Sequence, residues 1–299
     1  MYLFHGRGST GDAHRLPAAP GPVEWRDTVR IRKRLWLPKE HGAWAMFAVP
    51  LGLGALSADD GGWRVLWLAL AALSFFIARE PLLAWWRGRL RGRPPEGALG
   101  AAAVYLALAA LSGAPLLAVH RLWGMIPIGL AAAGLLVWNA RQVARREERT
   151  LATETIGVAG LTLAGPAAHY AAAGRWTPEA WSVWAVSAAY FIGSIFYVRL
   201  RVLTARGKRP EEQKRVRRWC AVYHAALAAA LAGCAASSAG GIWFLAAYVP
   251  ALWRAGWHVT RPARQLILVR VGLQEVAYSL WFLALAAAGF AAEAAAGPP

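Results

Sequence analysis

Apolar positions along the chain gather into nine segments, 42–57, 63–78, 98–119, 122–138, 150–173, 178–198, 218–238, 241–257 and 272–291, with polar residues between them. Crossing a hydrocarbon core as a helix takes about 20 apolar residues, with a range of roughly 17–25. The pattern therefore predicts an all-α polytopic membrane protein with about nine transmembrane helices. Charge sharpens this. Lys and Arg fall in every second gap, within 1–41, 79–97, 139–149, 199–217 and 254–271, with Arg218 at the edge of the seventh segment. Of the 33 basic residues, only Arg121 and Arg175 lie in the alternate gaps, with Arg64 at the start of the second segment beside one. Basic loops are retained on the cytoplasmic side, so the expected topology is N-terminus inside and C-terminus outside.

Composition adds bounds. The chain is 58% apolar, with 17 tryptophans in 299 residues. Nine spans use most of it, so the expected organisation is simple. Residues 1–37 form a basic, largely disordered cytoplasmic segment, 38–292 a transmembrane helical domain, and 293–299 a short outer tail. The first 40 residues show no pattern of a cleavable signal peptide. The net charge of +17 follows from the loops and does not point to nucleic acid. Attraction to anionic inner-leaflet lipid is the better electrostatic expectation, at about 1 kcal/mol per basic residue near the surface. Cys220 and Cys234 share one segment, roughly 21 Å apart along a helix, too far for a disulfide. No metal or cofactor motif is present.

The connections on the outer side are short, while two inner ones, 79–97 and 199–217, are nearly twenty residues long and sit four helices apart. That spacing suggests duplication of a four-helix unit. Tryptophans near segment ends, such as Trp63, Trp123, Trp176 and Trp253, suit the membrane interface. Gly52, Gly54, Gly157, Gly160 and Gly193 permit close helix approach.

Ionisable groups at membrane depth are costly and point to function. Here they gather at the inner ends of the segments. The candidates for one cytoplasm-facing polar cavity are Lys39, Glu40 and His41 before the first segment, Arg79 and Glu80 after the second, Asn139 after the fourth and Glu154 opening the fifth. Tyr197, Arg199 and Arg201 close the sixth, His224 lies in the seventh, and Glu275 with Tyr278 in the ninth. Glu40 and Glu154 also suit helix N-termini, His224 suits a packing role, and the arginines suit snorkelling. Glu275 lies within an apolar run and needs a partner, with Arg270, Arg199 and Arg79 as candidates. The other pole offers mainly His120, His169 and Asp59-Asp60.

The run Pro38-Lys39-Glu40-His41-Gly42-Ala43-Trp44-Ala45-Met46, with Pro50 and Gly52, resembles the start of the YwiC-like family of bacterial membrane proteins. Arg79-Glu80-Pro81, Tyr197-Val198-Arg199 with Arg206-Gly207, and Val271-Gly272-Leu273-Gln274-Glu275 extend the resemblance over about 38–290. It implies a multi-pass protein of the bacterial inner (cytoplasmic) membrane with no assigned catalytic step. The layout is also similar to the UbiA prenyltransferase architecture, which keeps paired aspartates at the inner ends of its second and sixth helices to hold Mg²⁺ against a prenyl diphosphate. Here those ends carry Arg79 with Glu80, and Arg199, Arg201 and Arg206, and residues 61–299 contain no Asp. If the chain is an enzyme, it is a UbiA-like transferase without those motifs. Arginine clamps phosphate or carboxylate directly. The expected ligand is thus an anionic isoprenoid-type lipid. A proton-coupled transporter or permease and an accessory subunit of a membrane complex are the alternatives.

Overall fold

The computed structural model describes residues 36–38, 41–58, 62–147, 150–207, 210–261 and 268–297. Residues 36–299 form one compact unit. The expectations for the N-terminal segment up to residue 35, and for Lys39 and Glu40, lie outside the described residues.

Ten helices follow in order: α1 His41–Leu56, α2 Gly62–Leu90, α3 Ala98–Ala118, α4 Met125–Arg145, α5 Leu151–Leu161, α6 Ala164–Ala173, α7 Pro178–Arg206, α8 Pro210–Ser237, α9 Gly241–Thr260 and α10 Leu268–Ala296. No strand occurs among the described residues. Five of the helices, α2, α3, α7, α8 and α10, are long and apolar enough to cross a membrane on their own, and α1 is a shorter apolar helix. With α5 and α6 taken as one broken span, nine helical units match the nine apolar segments. The chain is a multi-pass, membrane-type helical protein.

Several helices outrun their apolar segments at the basic ends. α2 continues past Arg79-Glu80-Pro81 to Leu90, α7 past Arg201 to Arg206, and α8 begins at Pro210 rather than 218. Arg, Glu, Lys and Gln are good helix formers, so loss of hydrophobicity marks the membrane boundary and not the helix end. α10 likewise runs through Glu293 to Ala296, into the stretch expected as an outer tail.

The fifth segment breaks at Thr162-Leu163 because of Pro166. A proline lacks the N–H and its ring crowds the carbonyl four residues back, here that of Thr162. The Leu163 N–H turns to Gly160 O at 3.2 Å. The carbonyl of Ala159 is then taken by the Thr162 hydroxyl at 3.0 Å and by Trp184 Nε1 at 3.0 Å. Side chains thus satisfy the backbone group that the kink releases.

α1 packs against α5, α6, α7 and α10, whereas α3 packs chiefly against α2. The α1–α6 contact is a glycine contact. A Cβ on Gly54 would sit 2.0 Å from the Gly165 carbonyl oxygen, so the two backbones touch. Nearby, Tyr190 stacks on Phe282 at 4.1 Å, and Tyr248 meets both rings edge-on. This joins α7, α9 and α10 in one apolar core with Leu53 and Val183. At the pole away from the basic ends, the Gly240 N–H donates to Glu293 Oε1 at 2.9 Å, which places a carboxylate at the start of α9.

Two consequences are measurable by thermal unfolding in detergent. Gly54→Ala forces α1 off α6 and lowers stability by about 3 kcal/mol, the upper end for overpacking. Glu293→Ala removes the carboxylate cap from α9 and lowers it by about 0.5–1 kcal/mol, the surface range for such caps.

Candidate functional site

The polar side chains at the basic pole form two centres rather than one. The first is peripheral. Arg199 on α7 donates to Glu154 on α5 at 3.3 Å and lies 3.8 Å from Glu212 on α8, all three partly exposed. Thr150 caps α5, accepting from the Thr153 N–H at 3.2 Å, and Gln142 on α4 reaches Thr153 Oγ1 at 3.2 Å. Glu154 therefore stands in the first turn of α5, and Arg199 ties α5, α7 and α8 together.

The second centre is buried, and its key residue was missed by sequence reasoning. Arg254 on α9 is 5% exposed. Its Nη1 donates to Glu275 on α10, and its Nη2 donates to Ser194 Oγ on α7 at 2.8 Å. The guanidinium carbon lies 4.6 Å from the Tyr197 ring centre and 5.3 Å from that of Tyr278, within cation–π range. Its Nε is buried with no hydrogen-bond partner. Arg254 stands six residues before the end of α9, about 9 Å inward at 1.5 Å per residue.

The partner of Glu275 is thus Arg254 and not Arg199, which binds Glu154 and Glu212, nor Arg79. The side chain of Arg270 lies outside the described residues. Arg254 fell at the border between an apolar segment and a basic loop, where it read as one loop charge among four. The signal that could have found it is that residues 251–257 carry this single charge among apolar neighbours.

His258, one turn beyond Arg254, donates from Nδ1 to the Arg254 carbonyl at 2.9 Å and meets the Tyr197 ring edge-on at 5.4 Å. His224 on α8 likewise donates from Nδ1 to the Cys220 carbonyl at 2.8 Å, and packs on Gly193 of α7. Both histidines keep Nε2 as an acceptor when neutral. Arg201 is buried on the same face of α7 as Tyr197, one turn away.

The remaining candidates stand apart. Arg79 and Glu80 lie within α2, and Asn139 lies on α4. Among the described residues none of the three bonds to the Arg254 centre. His41 begins α1, but its side chain, like all of Lys39 and Glu40, is outside the described residues. One depression of about 280 Å³ is lined by Pro127, Ile128, Ala131, Leu163, Trp176 and Trp181, and another by Glu211, Glu212 and Arg215.

A third polar group occupies the opposite pole. Ser57 donates to the Gly54 carbonyl at 3.0 Å. With its proton so placed, Ser57 accepts from His169 Nδ1 at 2.8 Å, and His169 Nε2 accepts from Thr177 Oγ1 at 2.9 Å. The exposed Glu179 lies beside Thr177.

Among known proteins, the family model described as YwiC-like protein matches residues 37–169. The Bacillus subtilis (strain 168) protein named "Uncharacterized protein YwiC" is 26% identical over 256 residues, covering 83% of this chain and 95% of that one. No solved structure matches. The matched region holds the α1 motif, the Arg79-Glu80-Pro81 run within α2 and the α5–α6 break, and the pairwise match extends over most of the remaining helices. The chain is therefore similar to the YwiC-like family over residues 37–169, and to the Bacillus subtilis protein over most of its length.

Proposed function

We propose that the chain sits in the bacterial cytoplasmic membrane, N-terminus inside, and that its basic half binds the head group of an anionic amphiphile of the isoprenoid-phosphate class. The observation that carries this reading is the Arg254 guanidinium, buried at membrane depth between two tyrosine faces, with one nitrogen unpartnered. Moving two charges out of water costs several kcal/mol per ion, and their mutual attraction seldom returns more than that. An apolar pair would join α9 to α10 more cheaply, so an ion pair retained there points to a charged ligand. Arg254 and Arg201 supply planar donors suited to phosphate. The distribution of Lys and Arg supports the orientation.

The UbiA-like layout remains the architectural analogy for this reading. Its chemistry is not carried over, because the chain has no Asp beyond residue 60 with which to hold Mg²⁺. Arg79 and Glu80, in the middle of α2, are a separate part of the same basic face.

A second reading, proton-coupled transport, is favoured by the broken α5–α6 span, since discontinuous helices near mid-membrane recur at transporter binding sites. A cysteine placed at Ser194 and challenged with impermeant maleimide from each side separates the two. Labelling from the cytoplasmic side alone supports head-group binding, and labelling from both sides supports transport.

The binding reading is tested by native mass spectrometry with added polyprenyl phosphate, and phosphatidylglycerol as the control. The comparison is between wild type and the double variant Arg254→Gln/Glu275→Gln, which removes both charges together and so leaves no buried ion unpaired. The expected outcome is binding weakened about 10- to 100-fold, the range for losing a charge-assisted hydrogen bond, with the melting temperature largely kept. Equal lipid binding by the two proteins removes the reading.

A further inference from the structure

One face of α7 is polar from Ser187 to Thr204. Ser187, Tyr190, Ser194, Tyr197, Arg201 and Thr204 follow one another at intervals of three and four residues, the spacing that keeps side chains on one side of a helix. All six are buried. From Ser187 to Thr204 the stripe runs about 25 Å at 1.5 Å per residue, most of a hydrocarbon core of about 30 Å. A stripe placed there for packing would be apolar.

Neighbouring helices complete it. From the basic pole inward, Gln213 donates to Thr204 at 3.0 Å, His258 touches Tyr197, and Arg254 with Glu275 reaches Ser194. Ser279 lies beside Tyr190 without closing a well-formed hydrogen bond. Tyr190 Oη and Ser187 Oγ, at the deep end, are buried with no partner. Unsatisfied buried hydroxyls normally hold water or strain, and a hydroxyl both accepts and donates a proton.

The stripe stops one turn beyond Ser187. There Val183 of α7 and Leu53 of α1, each 0% exposed, close a layer with Phe282 and Ala286 of α10, and Val183 packs on Gly165 of α6. His169 follows Gly165 by one turn, so the group of Ser57, His169, Thr177 and Glu179 begins on the far side of that layer.

We infer that α7 carries an interrupted proton path, with a long limb from Thr204 to Ser187, a short limb from Glu179 to Ser57, and the Val183–Leu53 layer as the barrier between them. The ligand is the proton, carried through water between the hydroxyls, and Glu275 is the carboxylate that takes it from the long limb. Glu275 meets Arg254 of α9, and around that guanidinium stand Tyr190 and Tyr197 of α7, with His258 one turn along α9 and Arg201 beside Tyr197 and His258. Cys220 and His224 of α8 lie behind Arg254, Tyr278 is on its own helix, and α1 meets α10 through Gly52 against Leu283. A proton on Glu275 cancels the charge opposite Arg254 and leaves the guanidinium held by Ser194 and two ring faces. Loading the path thereby loosens the joint between α9 and α10. Hydrophobic constrictions of this kind block conduction by excluding water. The inference does not depend on the lipid proposed above.

The test is proton flux into proteoliposomes containing a trapped pH dye, driven by a potassium diffusion potential. Wild type is expected to be tight. V183T, which adds one hydroxyl at nearly constant volume, is expected to leak at least tenfold faster, and V183T/E275Q and V183T/S187A to return to the wild-type rate. L53T opens the same layer from α1, should V183T not insert. Wild type conducting as fast as V183T, both opened variants staying tight, or a leak that survives E275Q each overturns the proposal.

Discussion

Hydrocarbon offers a backbone no hydrogen-bond partners, so each N–H and C=O within it must be satisfied by the protein itself. The helical character of the described residues follows from that constraint, and so does the detail at the one place where a span breaks. Pro166 interrupts the ladder, and the chain responds by bringing the Thr162 hydroxyl and the Trp184 indole to the carbonyl of Ala159. The break is tolerated because α7 lies beside it with a donor. It also lets Gly165 present its backbone to Gly54, and through that contact α1 takes its place among α5, α6, α7 and α10.

The same poverty of solvation acts on side chains. Arg254 on α9 is held by a carboxylate from α10, a hydroxyl from α7 and two aromatic faces. Removing water strengthens each of these contacts and raises the cost of losing any one of them. Three helices are therefore registered against each other by one cation. The polar stripe of α7 extends that registration through most of the membrane thickness, then gives way to valine and leucine. Polar and apolar layers thus succeed each other along one helix face.

Some of the site was legible in advance because it violates a local rule. Glu275 stands in an apolar run, and a lone carboxylate there requires a cation. Its partner was not legible. Arg254 lies at a border where hydropathy falls, and only the continuation of α9 to Thr260 turns it from a loop charge into a buried one. Arg199 shows the converse. It looked like part of one convergent cavity, yet two positions along α7 separate it from Tyr197 and Arg201 by more than half a helical turn, and it faces α5 and α8 instead. The α7 stripe was present in the sequence as a spacing of three and four, but Ser and Tyr within an apolar segment carry little hydropathy signal. Their burial on a single face became visible only against α9 and α10.

The sequence by itself determined the all-helical class, the number of helical units and their approximate limits. Those properties depend on transfer of individual segments between water and hydrocarbon, which is nearly additive along the chain. Only the tertiary structure decided that the fifth span is two helices, that Glu275 meets Arg254, and that the basic pole holds two polar centres. The physical reason is angular. A helix face turns 100° per residue, so which side chains meet depends on how each helix is rotated in its bundle. That rotation is fixed by close contacts such as Gly54 on Gly165 and Tyr190 on Phe282, made between residues far apart in the chain.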